Sequence, residues 1–250
     1  MASKIVCVLG MHRSGSSLVT GVLQGNGFYL GKGLVFKSKY NADGHYENRF
    51  IVNMNKKILK VFGGTWSSPP NLPCNWLDNI KIRLLLSEAC RYRDKELRDL
   101  RTFAFKDPRS SLTYPFWERV FPGMHYVIVE RAKNSVIRSI VKRNSDFLSP
   151  SRFFWRKARF LFHNLMGAYE PLEKIDEKKA SDIYDKYYSC CLKIKNKEKV
   201  YRIKYENILA EPEGEVGKLL RNLGVSGSKH VNVSMVNVNH NHESIIDERN

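Results

Sequence analysis

Short apolar runs alternate along the chain with longer segments whose apolar residues recur every three or four positions. The first run, Lys4–Leu9 (KIVCVL), predicts a buried strand, and residues 17–24 the helix after it. Between 47 and 62, Phe50, Ile51, Met54, Ile58, Leu59 and Phe62 fall at helical intervals. Residues 78–100 predict a charged amphipathic helix. Thr102–Lys106 (TFAFK) and His125–Glu130 (HYVIVE) predict two further strands, with a helix over 134–143 behind the second. Residues 153–188 read as mostly helical, with a break near Pro171. A strand over 200–205 (VYRIKY) and a helix over 212–223, stopped by Gly224, close the pattern. Strands alternating with helices predict an α/β fold: a central parallel sheet with helices on both faces. No repeat or low-complexity linker interrupts it. The turn-rich stretch 65–73 (TWSSPPNLP) reads as a loop within a domain, so residues 1–250 are expected to form a single domain.

Charge adds a partner class. The 250 residues carry 42 Lys+Arg against 25 Asp+Glu, a net charge of +17. The excess is +10 over residues 1–125 and +7 over the rest, so it is not a basic tail. Such a chain expects an anionic partner: nucleotide phosphates, an acidic glycan, nucleic acid or a membrane surface. Hydrophobic residues at 42 % and charged residues at 27 % argue against a disordered or fibrous chain. Cys7, Cys74, Cys90, Cys190 and Cys191 form no CxxC pair, which speaks against a disulfide framework or zinc site and for a reducing compartment. The opening apolar run is too short for a signal peptide, and no stretch reaches the roughly 18 apolar residues of a membrane span. A soluble, cytoplasmic protein is expected.

The candidate chemistry begins directly after the first strand, at Gly10-Met11-His12-Arg13-Ser14-Gly15-Ser16-Ser17. A Gly- and Ser-rich loop opening a helix aims backbone N–H groups and the helix dipole at an anion. The spacing is G-x4-G, as in a P-loop, but Ser16 stands where the Walker lysine belongs, and Arg13 supplies a cation three residues earlier. A nucleotide hydrolase or small-molecule kinase is therefore disfavoured. Two later strands also end in cations, Lys106 and Arg131. The carboxyl ends of a parallel sheet lie on one edge, where ligands bind. Three cations at one edge point to a polyanionic nucleotide. A basic nucleic-acid-binding module, the non-enzyme alternative, needs no such convergence, so nucleic acid is not the expected partner.

GMHRSGSSLV resembles the 5′-phosphosulfate loop of sulfotransferases that use 3′-phosphoadenosine 5′-phosphosulfate (PAPS), in particular the R-S-G-[ST]-[ST] loop of the bacterial and Golgi-type branches. The resemblance implies that Arg13, Ser14, Gly15, Ser16 and Ser17 grip the 5′-phosphosulfate. It extends, as ordered motifs, over about residues 5–225. The family's 3′-phosphate signature is a strand-end Arg with a Ser eight residues on, which Arg131 and Ser139 match. Arg131-Ala132-Lys133 stands where the family often has Arg-Asp-Pro. Lys106-Asp107-Pro108 is similar to the segment whose lysine contacts the transferring sulfuryl group. The same residues also suit a strand-to-helix turn, with Asp107 as cap and Pro108 at the first helical position. Pro108 stands near the catalytic His of the cytosolic aryl and steroid branch, so that branch's base is missing, and its C-terminal RKG loop has no counterpart after Gly224. Arg138 or Lys142 are candidate helpers at the 3′-phosphate.

Asp43-Gly44-His45-Tyr46-Glu47 resembles the bacterial G-[HY]-[FWY]-E segment, which makes Glu47 the first candidate for the general base and His45 the second. A carboxylate at a helix N-terminus is the plainer reading of Glu47. Lys142, Arg143, Arg152, Arg156, Lys157 and Arg159, interleaved with Phe147, Phe153, Phe154 and Trp155, suit an anionic or carbohydrate acceptor, or simply a solvated basic helix face. Tyr205-Glu206-Asn207 resembles a family segment that is mostly structural. The expected activity is sulfuryl transfer from PAPS to an acceptor hydroxyl on a carbohydrate or glycan, without a metal. Glu47 would act as base, and Lys106 and Arg13 would stabilise the transferring group.

Overall fold

The computed structural model describes residues 4–35, 45–98, 102–148, 173–225, 232–234 and 236. Among them, four strands form one parallel sheet: β1 (Lys4–Leu9), β2 (Thr102–Lys106), β3 (His125–Glu130) and β4 (Val200–Lys204). Their spatial order is β2-β1-β3-β4. The chain leaves β1 for one side of the sheet and later returns to its other side. β1 is thus the topological switch point, and the carboxyl edge there is the place where open α/β sheets bind ligands. The register sets Val8 beside Lys106, Leu9 beside Ile128 and Glu130 beside Lys204.

The α-helices among the described residues are α1 (Ser16–Gly25), α2 (Arg49–Val61), α3 (Ile80–Glu96), α4 (Ser110–Val120), α5 (Lys133–Leu148), α6 (Glu177–Leu192), α7 (Tyr205–Ala210) and α8 (Pro212–Asn222). The period of two along each strand sorts the core into two layers. Cys7, Leu9, Phe103, Phe105, Tyr126 and Ile128 face α2, α3 and α4. Val6, Val8, Ala104, Val127, Val129 and Ile203 face α1, α7 and α8. A third cluster joins Met11 of the glycine loop to Leu112 of α4 and to Val136, Ile140, Ile183 and Tyr187 of α5 and α6. The expected α/β architecture, with helices on both faces of a parallel sheet, is the one observed. No helix among the described residues is long and apolar enough to cross a membrane.

Several element ends differ from the sequence expectation, each for a local reason. The helix expected from residue 47 starts at Arg49, because the Asn48 side chain caps it, accepting from the N–H groups of Phe50 (3.0 Å) and Ile51 (3.3 Å). Glu47 therefore lies outside the helix. The helix expected over 78–100 runs from Ile80 to Glu96 and is preceded by a 3-10 turn, Trp76–Asp78. Tyr205, expected to end a strand, instead opens α7. Asp107 does not cap α4, which begins at Ser110. The helix reading of 153–188 is described only from 177 onward.

Candidate functional site

The glycine loop leaves β1 at the switch point and enters α1 through Gly15, whose backbone is left-handed (φ 89°). A side chain at Gly15 would place its Cβ 2.2 Å from Cδ2 of Tyr205. At Gly10 (φ 148°) it would meet Ser14 Oγ at 2.6 Å. Both glycines are thus required by close packing as well as by conformation. The loop is tied to α4 by the Gly10 N–H, which donates to Ser111 Oγ (3.1 Å). Arg13 also holds positive φ (71°), an uncommon conformation for a residue with a Cβ and a frequent mark of a functional loop.

Three of the candidate residues meet at Arg13. Its Nε donates to Ser139 Oγ on α5 (2.9 Å), and its carbonyl accepts from Arg131 Nη1 (3.4 Å). The eight residues separating Arg131 from Ser139 thus bring both to one loop residue. Arg131 lies with its guanidinium 4.4 Å over the Tyr205 ring, and that ring packs against Gly15. The backbone beside Arg131 is fixed from two elements: Tyr184 donates to its carbonyl (3.4 Å), and Glu206 accepts from the Ala132 N–H (3.0 Å). The Tyr-Glu segment at 205–206 therefore packs against the glycine loop and the backbone beside Arg131. Ser14 Oγ is buried with no hydrogen-bond partner. A free donor hydroxyl beside backbone amides at a helix start suits an oxygen-rich anion.

A second cluster lies on the other side of α1. Lys106, at the end of β2, donates to Glu47 Oε1 (2.7 Å) and to Ser17 Oγ (3.1 Å). Only 3 % of the lysine side chain and 13 % of the glutamate is exposed. Burial pushes the Glu47 carboxyl up, but the charge and hydrogen bond of Lys106 outweigh it, and the group sits below its ordinary value. His45 is held below the ordinary imidazole value, first by burial and then by Lys106, Arg143 and Arg13, against the pull of Glu47. Ser17 Oγ donates to the His45 carbonyl (3.5 Å). Of the loop serines, Ser16 is buried, and its carbonyl accepts from Thr20.

Lys106 is aimed by a buried network that sequence reading did not find. Asp107 accepts from the Arg109 N–H (3.1 Å), Arg109 Nη1 (3.0 Å) and Asn55 Nδ2 (2.9 Å). Burial pushes the Asp107 carboxyl up, while Arg109 opposes that shift. Asn55 also donates to Ser110 Oγ, and its Oδ1 accepts from Thr113 (2.7 Å) and Trp117 Nε1 (2.8 Å). The one sequence signal for Asn55 was a polar residue on the apolar face of α2. Of the basic, aromatic stretch, Arg152, Phe153, Phe154, Trp155, Arg156, Lys157 and Arg159 lie outside the described residues, as do Asp43 and Gly44. Among the described residues no group of three or more His, Cys, Asp and Glu could hold a metal ion.

A glycine loop at the switch point of a parallel sheet, flanked by cations from the neighbouring strand ends, is an α/β arrangement suited to an anion. The chain belongs to the sulfotransferase family, whose model matches residues 6–228. Its fold is similar to that of a sulfotransferase from Alicyclobacillus acidocaldarius (TM-score 0.53, 16 % identity, covering 94 % of this chain and 86 % of that one). Sulfotransferase STF1 from Mycobacterium tuberculosis H37Rv (TM-score 0.48, 12 % identity, 94 % and 71 % covered) and STF9 from Mycobacterium avium (0.48, 13 %, 97 % and 69 %) also match. At these identities the likeness is one of fold, and it rests on the first, whose score exceeds 0.5. No curated protein matches the sequence.

Proposed function

We propose that the protein transfers the sulfuryl group of PAPS to an acceptor hydroxyl on a carbohydrate. The observation that carries this reading is the buried Lys106–Glu47 pair at 2.7 Å beside Ser17, next to the loop on which Arg13, Arg131 and Ser139 converge. The loop amides, Ser14 Oγ and Arg13 receive the 5′-phosphosulfate, with Ser16 and Ser17 at the start of α1. Arg131 and Ser139 receive the 3′-phosphate.

In the transfer, a bond forms between the acceptor oxygen and sulfur, and the bond from sulfur to the phosphate oxygen breaks. The hydroxyl proton passes to Glu47. Lys106 and Arg13 meet the charge that develops on the transferring and departing oxygens. Glu47 is held too acidic for a general base while Lys106 is bonded to it. Once Lys106 turns toward the sulfuryl group, burial still pushes the Glu47 carboxyl up against the smaller pull of Arg109 and His45, so its proton affinity rises from the paired state. His45 is the second candidate for that role. An aromatic wall beside the loop, where Trp66 meets His12 edge-on at 4.6 Å, supports a carbohydrate acceptor.

The test is incubation with sulfur-labelled PAPS over a glycan array, with and without chelator. Label on glycan hydroxyls in both conditions is the expected result. If the array stays unlabelled while ATP–magnesium phosphorylates it, the kinase alternative replaces this reading.

A further inference from the structure

We propose that His12 is a further catalytic residue, whose Nε2–H donates to an oxygen of the transferring sulfuryl group. The inference rests on the sulfuryl-transfer reading above and adds to it a contact that neither Lys106 nor Arg13 supplies.

His12 belongs to the glycine loop and directly precedes Arg13, whose backbone turns there through positive φ (71°). Two aromatic side chains border its ring. Trp66 meets it edge-on at 4.6 Å, and Tyr187 of α6 lies tilted at 6.3 Å between centroids. Trp66 is itself held: the Tyr187 hydroxyl donates to its carbonyl (3.0 Å), and Lys186 anchors the same segment by donating to the Pro69 carbonyl (2.9 Å). Met11, one residue earlier, packs into the cluster of Leu112, Ile140 and Tyr187. The imidazole thus sits in a built wall, yet its Nε2 is buried with no hydrogen-bond partner. A buried polar atom left unpaired is destabilising, and a ligand that pairs it removes that cost.

A second unpaired atom and the surrounding charges say what that ligand group is. Ser14 Oγ, two residues on, is also buried without a partner. The two side chains flank Arg13 on the loop that receives the 5′-phosphosulfate, a group with acceptor oxygens on phosphorus and on sulfur. Ser14 stands at the start of α1 with the loop amides, where the phosphate belongs. The charges that bear most on His12 are Arg143 of α5, Arg109 just before α4 and Lys106 at the end of β2, followed by His45 ahead of α2; none of these is acidic. Lys106 is the residue assigned above to the transferring group. An electropositive surround of this kind favours an anionic sulfuryl oxygen over the uncharged hydroxyl of an acceptor. Burial and the same cations keep the imidazole neutral. A sulfuryl oxygen only accepts, so its presence places the single ring proton on Nε2. The bond fixes the rotation of the sulfuryl group and keeps sulfur in line between the incoming and departing oxygens. His12 keeps its proton throughout: the acceptor oxygen bonds to sulfur, the bond from sulfur to the phosphate oxygen breaks, and the hydroxyl proton passes to Glu47.

PAPS and adenosine 3′,5′-bisphosphate differ by the sulfuryl group, so the ratio of their affinities isolates contacts to it. Both are titrated calorimetrically, without acceptor and with EDTA, into wild type, His12→Leu and His12→Gln. His12→Leu should weaken PAPS by about tenfold or more relative to the bisphosphate, whose own affinity should stay at the wild-type level. His12→Gln, whose side-chain amide returns an N–H near the Nε2 position, should recover part of the ratio. An unchanged ratio in His12→Leu overturns the proposal and leaves the donor reading standing. A parallel loss of both nucleotides also overturns it, because that is what a residue that merely shapes the loop would produce. So does a ratio as low in His12→Gln as in His12→Leu. Wild type that binds neither nucleotide overturns the donor reading and this inference with it.

Discussion

Replacing Lys106 by Met should unfold the protein more easily than any surface substitution and should change how Glu47 titrates. The lysine is 3 % exposed, and its Nζ lies 2.7 Å from a carboxylate that is itself 13 % exposed. Removing one partner of such a pair leaves a buried charge uncompensated, which costs about 3–5 kcal/mol. Glu47→Gln should cost less, because the amide oxygen still accepts from Lys106, and Lys106 keeps Ser17 as a second partner at 3.1 Å. The double variant Lys106→Met/Glu47→Gln should recover part of the loss. The coupling should be about 2–3 kcal/mol, the upper part of the range for residues in contact. The assay is urea unfolding at pH 7 in buffer free of phosphate and sulfate, which would otherwise occupy the cationic edge. Its sign with pH is also set. Glu47 sits below its ordinary value of 4.5 in the folded protein, so the pair's contribution is complete above 4.5 and is lost as pH falls through the lowered value. The gap between wild type and Lys106→Met should therefore close in that acid window. Additive single losses of under about 1 kcal/mol each, with no closing of the gap, would show that the pair is not formed in solution and would refute the argument.

Three further outcomes follow from the site. Arg131→Ala should reduce the preference for adenosine 3′,5′-bisphosphate over adenosine 5′-monophosphate by tenfold or more, since a charge-assisted contact contributes about 1.5–3 kcal/mol; an unchanged ratio of calorimetric affinities places the 3′-phosphate elsewhere. Gly15→Ala should lower the urea midpoint by at least the equivalent of about 1–2 kcal/mol from its left-handed backbone alone, with the clash on Tyr205 added, and should weaken bisphosphate binding. A wild-type midpoint would mean that the loop can shift. His12 is kept neutral by burial and by Arg143, Arg109 and Lys106, so its contribution to stability is full above 6.5 and declines as pH falls below it. Between pH 6.5 and 5.5 that decline is about 1 kcal/mol, and His12→Asn should flatten the unfolding profile by that amount.

The strands were legible because each is a short apolar run ended by a charge or glycine, and Lys4–Leu9, Thr102–Lys106 and His125–Glu130 stand in the structure with those bounds. Helix ends were less so. Asn48 decides where α2 starts by a side-chain cap that apolar periodicity does not register, and that one-residue cap is what leaves Glu47 outside the helix to meet Lys106. Residues of the glycine loop and the strand ends could be read because their roles depend on neighbours in sequence. Asn55, Ser111, Trp66 and Tyr205 could not, because their partners lie far along the chain: Ser111 meets Gly10 across 101 positions and Tyr187 meets Trp66 across 121. Tyr205 is instructive. Its segment resembles one that is mostly structural, and its ring lies against Gly15 and under the Arg131 guanidinium, partners that sequence spacing does not reveal.

The central claim is that one edge of the sheet holds a nucleotide phosphorylated at both the 3′ and 5′ positions through arginine, lysine and loop amides. Its most direct test is a calorimetric titration of the wild-type protein with adenosine 3′,5′-bisphosphate in the presence of EDTA. The account predicts one site per chain. It also predicts affinity at least about tenfold above that for adenosine 5′-monophosphate, and a stabilisation of about 2.7 kcal/mol at a hundredfold excess over the dissociation constant. Equal affinity for the two nucleotides, or binding that appears only with a magnesium nucleotide, would contradict it.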